Sequence, residues 1–361
     1  MLASRAIIAV VAGALLGCTA SAPPAAVAQA IVNGSADNDD PNIVALMSNG
    51  AFTCTAEVIS PHVILTAGHC SVAPAGTAYS VYFGNDVHVA GRTIAVTEIH
   101  ADPGYRPDVV DAAHDLAIAI LAEPAAVAPL SYNRVPIPDS WNDPRRPHGA
   151  RLVGFGLASP SDGTSYGARR QTGLPIVGLR PEAITYSNHG FSGTCFGDSG
   201  GPAIARIAGN EAIISVTSYG FGSIVNACDL SHGDVEARVD TYHAFIDEWV
   251  TRVDPPARQG QLGDACDTNL DCASAICGSS DDGKTRFCTA TCDPSASGVC
   301  GTLSCTSVDD IHVCMPGGCD LAAGGAPSNA GLVLIALALV AVRARRRRAS
   351  APICSIHESA G

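Results

Sequence analysis

Between residues 31 and 252 short apolar runs alternate with polar punctuation. VILTA at 63–67, VYFG at 81–84, RLVGFG at 151–156 and AIISVTSYG at 212–220 are rich in β-branched and aromatic residues, and Gly, Pro, Asn and Asp separate them. Runs this short, closed by turn formers, predict strands, so the body is all-β, a barrel or a sandwich. One segment breaks the pattern. Val239, Tyr242, Ile246, Trp249 and Val250 recur at helical spacing and predict a helix whose apolar stripe packs against the strands.

A linker over 253–261, marked by two prolines in DPPARQGQ, leads into residues 262–316. That segment carries eight cysteines, Cys266, Cys272, Cys277, Cys288, Cys292, Cys300, Cys305 and Cys314, and almost no aliphatic residues. Cross-links there take the place of burial, in a small disulfide-rich module whose connectivity stays open. No internal repeat stands out. The irregular spacing lacks the paired Cys and His pattern of zinc sites, so neither a metal nor another cofactor is expected.

Both ends of the chain are apolar. Residues 1–30 have the layout of an export signal and short propeptide, with Arg5 ahead of an apolar run at 6–16. LLGC at 15–18 makes Cys18 a candidate lipidation site, since it resembles the box acylated in bacterial lipoproteins; an ordinary signal with an incidental cysteine fits as well. At the other end GLVLIALALVAV (331–342) runs into RARRRR, an apolar segment stopped by a basic cluster. With Gly317, Gly318 and Cys319 upstream, residues 317–348 resemble the C-terminal sorting tails of myxobacterial surface proteins. A plain membrane anchor is the other reading, and residues 349–361 have no assignment.

Composition narrows the setting. At 361 residues one large domain with smaller appendages is expected. The formal charge is −13, and six of the 21 basic residues lie in the terminal segments, so the body is more acidic still and nucleic acid is excluded as a partner. Fifteen cysteines point to an oxidising, extracytoplasmic compartment, secreted or attached to the bacterial envelope through the terminal segments.

The candidate chemistry lies in three motifs: LTAGHC at 65–70, HDLAIAIL at 114–121 and GTCFGDSGGP at 193–202. A serine hydroxyl is a weak nucleophile at neutral pH and needs a base, which His69 supplies for Ser199. A third group must orient the imidazole, and Asp115 is followed by an apolar strand able to bury it. These motifs, in the order His, Asp, Ser, resemble those of the chymotrypsin and trypsin family of serine proteases; other serine hydrolases use other orders.

The resemblance implies two packed six-stranded antiparallel β-barrels with a C-terminal helix over residues 31–252. It implies a triad of His69, Asp115 and Ser199 and an oxyanion hole from the amides of Gly197 and Ser199, where a side chain at 197 would obstruct the substrate oxygen. It also pairs Cys54 with Cys70 and Cys195 with Cys228. Two departures stand out: Thr55 and Ala56 replace the usual glycines after Cys54, and residues 222–228 form a longer stretch than in trypsin.

IVNG at 31–34 matches the family's mature N-terminus, so the freed ammonium of Ile31 is expected to insert beside Asp198 and form the oxyanion hole. The preceding AVAQA places the activating cut after Ala30, a non-basic residue, which calls for a different protease. Gly193 stands at the base of the specificity pocket, where trypsin has an aspartate. GDVEARV at 233–239 places Asp234 on the opposite wall, leaving open a pocket for Arg or Lys and a neutral pocket for apolar residues. Ser218, Tyr219 and Gly220 match the strand that pairs with substrate backbone. The implied function is an exported serine endopeptidase acting on proteins or peptides through an acyl-enzyme on Ser199. A catalytically silent surface-binding protein on the same fold is the alternative, with an esterase as a further one.

Overall fold

The apolar runs become strands wound into two rings. The computed structural model describes residues 31–188, 190–220, 228, 230–256, 259–280, 283–296 and 298–316. After the two-residue β1 (Ser35–Ala36), the first ring takes β2 (Ile43–Ser48), β3 (Ala51–Ser60), β4 (Val63–Thr66), β5 (Tyr79–Phe83), β6 (Arg92–Ala101) and β7 (Ala117–Leu121). They close antiparallel in the order β2-β3-β4-β7-β6-β5, with β2 paired to β5. Every residue of β4 and β7 is buried, because these strands also have helix α1 (Val239–Val253) against them. Hence both read as continuous apolar runs and not as alternation.

The second ring contains β8 (Gly149–Gly154), β9 (Arg170–Leu179), β10 (Ala183–Tyr186), β11 (Pro202–Ile207), β12 (Asn210–Gly220) and β13 (Asp234–Arg238). Its order is β9-β10-β13-β12-β11-β8, closed by pairing of β8 with β9, and β1 adds to β9 from outside. The fold is therefore two closed six-stranded barrels. In the β12–β13 ladder the register shifts between Thr217 and Tyr219, so Ser218 is an extra, unpaired residue. A bulge of this kind re-aims a side chain out of the alternation.

Helix α1 covers the residues read from periodicity. Val239, Tyr242, Ile246 and Val250 are buried, while Trp249 stacks on the His100 ring with centroids 4.2 Å apart. Just past its end, Asp254 accepts hydrogen bonds from Ser60 Oγ (2.6 Å) and the His62 amide (2.7 Å), which fastens the helix to the first barrel.

The cysteine-rich segment consists of two hairpins, β14 (Ile276–Ser279) with β15 (Arg286–Thr289) and β16 (Ser304–Val308) with β17 (Ile311–Met315). Its disulfides are Cys266–Cys277, Cys272–Cys288, Cys292–Cys305 and Cys300–Cys314. The two halves share one cross-linking pattern around one hairpin each. The few apolar side chains here do find burial: Ile276, Phe287, Ile311, Val313 and Met315 join the second barrel's core with Leu152, Ile207 and Ile214. Trp141 Nε1 donates to Asp309 O (3.1 Å), and the Gly209 amide donates to the Asp309 carboxylate (2.9 Å).

No helix among the described residues is long and apolar enough to cross a membrane. The export signal, Cys18, Ala30, the sorting tail and residues 349–361 lie outside the described residues.

Candidate active site

The first barrel supplies the imidazole. LTAGHC leaves β4 at Thr66 and folds into a 3-10 turn, Gly68–Ser71, which the Cys54–Cys70 disulfide ties back to β3. A Cβ on Gly68 would meet the Tyr105 ring at 3.0 Å and Asp115 Oδ1 at 3.1 Å, so the carboxylate packs tightly against this turn. Asp115 then accepts the His69 amide (2.8 Å) on Oδ1 and pairs through Oδ2 with His69 Nδ1 (2.9 Å). A third donor comes from the bulge on β12: Ser218 Oγ donates to Asp115 Oδ2 at 2.5 Å. With its oxygens engaged and the residue only 3% exposed, the carboxylate has one orientation. It holds the proton on Nδ1, leaving Nε2 as an acceptor.

The second barrel supplies the hydroxyl. GTCFGDSGGP forms the loop leading into β11, pinned by the Cys195–Cys228 disulfide. Gly197 has φ +97°, and a Cβ there would meet the Phe52 ring at 2.7 Å and Gly156 Cα at 2.9 Å. Behind it Asp198 is fully buried and accepts the Gly156 amide (2.8 Å) and the Cys195 amide (2.9 Å). Burial nevertheless pushes its carboxyl up to about 7. Ile31 is completely buried among second-barrel residues, and Val32 bridges to Gly193.

His69 and Ser199 face one cavity of about 610 Å³, together with Gly197, Thr194, the Cys195–Cys228 disulfide and residues Ser218, Tyr219 and Gly220. Among the described residues no hydrogen bond joins Ser199 Oγ to the imidazole; catalytic contacts of this type commonly tighten only around substrate. Gly193 and Asp234 lie behind that lining. A Cβ at Gly193 would meet Asn188 Nδ2 at 2.4 Å and Asp234 Oδ2 at 3.0 Å, so the carboxylate uses space that a side chain at 193 would fill. Asp234 is 2% exposed and accepts the Thr194 amide at 3.0 Å, and burial raises it above the usual carboxylate range. Residues 221–227 lie outside the described residues.

The Ser218 hydroxyl is the residue contact that sequence reading missed, because the bulge that turns it toward Asp115 has no local signature. The close groupings of metal-binding side chains among the described residues, such as Cys54 and Cys70 beside His69, use cysteines already joined in disulfides, which have no thiolate to offer.

A family model described as Trypsin matches residues 31–246. A protein named Trypsin from Saccharopolyspora erythraea is 28% identical over 239 residues, covering 61% of this chain and 98% of its own. Trypsin Blo t 3 of Blomia tropicalis is 24% identical over 235 residues, 60% of this chain and 84% of its own. The Vitellin-degrading protease of Bombyx mori is 23% identical over 258 residues, 66% of this chain and 93% of its own.

Proposed function

Because this chain belongs to the trypsin family of serine proteases, we propose that it is an active endopeptidase that cleaves protein or peptide chains through an acyl-enzyme on Ser199. The observation that carries the reading is the Asp115 carboxylate, which takes donors from His69 and Ser218 on the wall of the cavity that Ser199 also lines.

The steps follow from that arrangement. His69 Nε2 removes the proton of Ser199 Oγ as the oxygen attacks the substrate carbonyl. The amides of Gly197 and Ser199 receive the oxyanion, and the imidazolium is stabilised by Asp115. His69 then protonates the departing amine, and water, activated by the same nitrogen, releases the acyl group. Tyr219 and Gly220, at the end of β12, present an edge to the substrate backbone.

The preference is for Arg or Lys before the scissile bond. Asp234 is a buried carboxyl held by neutral donors, and a guanidinium or ammonium entering beside Gly193 would supply the charge that its burial lacks. A cut after Ala30 by another protease would free the Ile31 ammonium for Asp198, whose raised carboxyl supports that pairing. The six disulfides support export to an oxidising compartment.

The test uses protein beginning at Ile31 and a fluorophosphonate label. Labelling that disappears in Ser199→Ala supports the endopeptidase; an unlabelled wild type supports the silent binding protein. Cleavage profiling on a peptide library, with Asp234→Ala alongside, reads the specificity, and an unchanged profile would remove Asp234 from it.

A further inference from the structure

Thr55 stands where the family resemblance leads one to expect glycine, and both its amide and its hydroxyl donate to the nucleophile loop. It is completely buried on β3 of the first barrel. Its amide donates to Ser199 O (2.9 Å) and its carbonyl accepts Thr66 Oγ1 (2.9 Å). Any residue's backbone makes such bonds; the hydroxyl is what this chain adds. Thr55 Oγ1 donates to Gly197 O (2.8 Å) and accepts the Phe155 amide (3.0 Å), so the hydroxyl is fixed at both ends.

Gly197 is the residue in this loop with most need of such a hold. At φ +97° it occupies a region open to glycine, and glycine's broad conformational freedom makes the peptides on either side of it easy to rotate. Thr55 grips the carbonyl of Gly197 with its side chain and that of Ser199 with its backbone, the two residues whose amides form the oxyanion hole. The Phe52 ring closes over Gly197 from the other side, stacked on Tyr166 with centroids 5.5 Å apart.

We propose that Thr55 is a positioning residue for the oxyanion hole: its hydroxyl, anchored by the Phe155 amide, locks the Gly197 carbonyl and so aims the amides of Gly197 and Ser199 before substrate arrives. The proposal rests on the endopeptidase reading above. A loop held in this way has less reorganisation to complete as the tetrahedral intermediate forms.

The test compares Thr55→Val, which keeps the shape and removes the hydroxyl, with Thr55→Ser, which keeps the hydroxyl, in protein beginning at Ile31. kcat and KM are measured on the preferred peptide amide, affinity is measured for phenylboronic acid as a tetrahedral adduct on Ser199, and Tm is recorded. Thr55→Val should lower kcat and weaken the boronic acid by about tenfold each with KM nearly unchanged, and Thr55→Ser should restore both. Wild-type kcat and boronic acid affinity in a folded Thr55→Val would overturn the proposal, as would a Thr55→Ser variant as impaired as Thr55→Val. Should Thr55→Val not fold, Thr55→Ala is judged by the same readings. An inert wild type overturns the endopeptidase reading and this proposal with it, whereas an active wild type with an indifferent Thr55→Val overturns only the role of Thr55.

Discussion

Beneath the cavity Asp115 receives the amide and ring of His69 and the hydroxyl of Ser218, whereas on β3 both carboxyl oxygens of Glu57 are buried without a hydrogen-bond partner among the described residues. Glu57 lies two residues beyond Thr55 and therefore on the same side of the strand. Burial, and then the charge of Glu236 on β13, push its carboxyl well above the ordinary range. Glu236 is an intermediate case: Ser215 Oγ (2.7 Å) and Thr217 Oγ1 (3.0 Å) donate to it, yet burial still drives it up to about 8. Donors lower a buried acid, but at Glu236 and Asp198 burial outweighs the donors they have and both carboxyls stay raised. Asp115 is supplied with three donors, whereas behind the nucleophile loop burial dominates.

Breaking the supplied side should have the largest effect. Asp115→Asn leaves a group of the same shape but inverts what it offers to Nδ1, so kcat should fall by roughly 10⁴-fold with little change in Tm; steady-state kinetics at pH 8 check both.

The neutral side should dominate stability against pH. An acid whose folded pKa is raised favours the native state fully below its unfolded value, near 4.5 for Glu57, and loses that contribution as pH climbs through the folded value. Glu57 and Glu236 at about 8 act in this sense, and so does Asp198 at about 7 as long as no ammonium pairs with it. The unfolding free energy should therefore decline from about pH 5 to pH 8, and Glu57→Leu should recover roughly 2 kcal/mol at pH 8 and much less at pH 5. Urea titrations at the two pH values test this, and a variant no more stable than wild type at pH 8 would contradict it.

Ser218→Ala removes one of the donors to Asp115 without opening the site, so kcat/KM should fall about fivefold to tenfold. Steady-state kinetics on the same peptide amide check it.

How much of this was legible beforehand follows from the range of each signal. Strand runs and the α1 stripe are local patterns, and they located the body and its helix. The motifs carry His69 and Ser199, which line one cavity, and Asp115, which bonds His69 from below it. Ser218 and Thr55 acquire their meaning from a bulge and from contacts across two barrels, which neither periodicity nor composition encodes. The module was read as relying on its cross-links; its Ile276, Phe287 and Val313 are too sparse to suggest a core, yet they complete one that the second barrel begins. Glu57 reads as an ordinary polar residue of a strand, and only the closed barrel reveals that it has no route to water.

The six disulfides among the described residues close only short loops, at most 33 residues apart in sequence, and none of these links the hairpin module to the barrels. A chain emerging N-terminus first can thus complete each cross-linked unit before the next thiols appear. Oxidative errors within one unit then leave the others' pairing intact, and a nascent barrel need not wait for the last cysteine to be made.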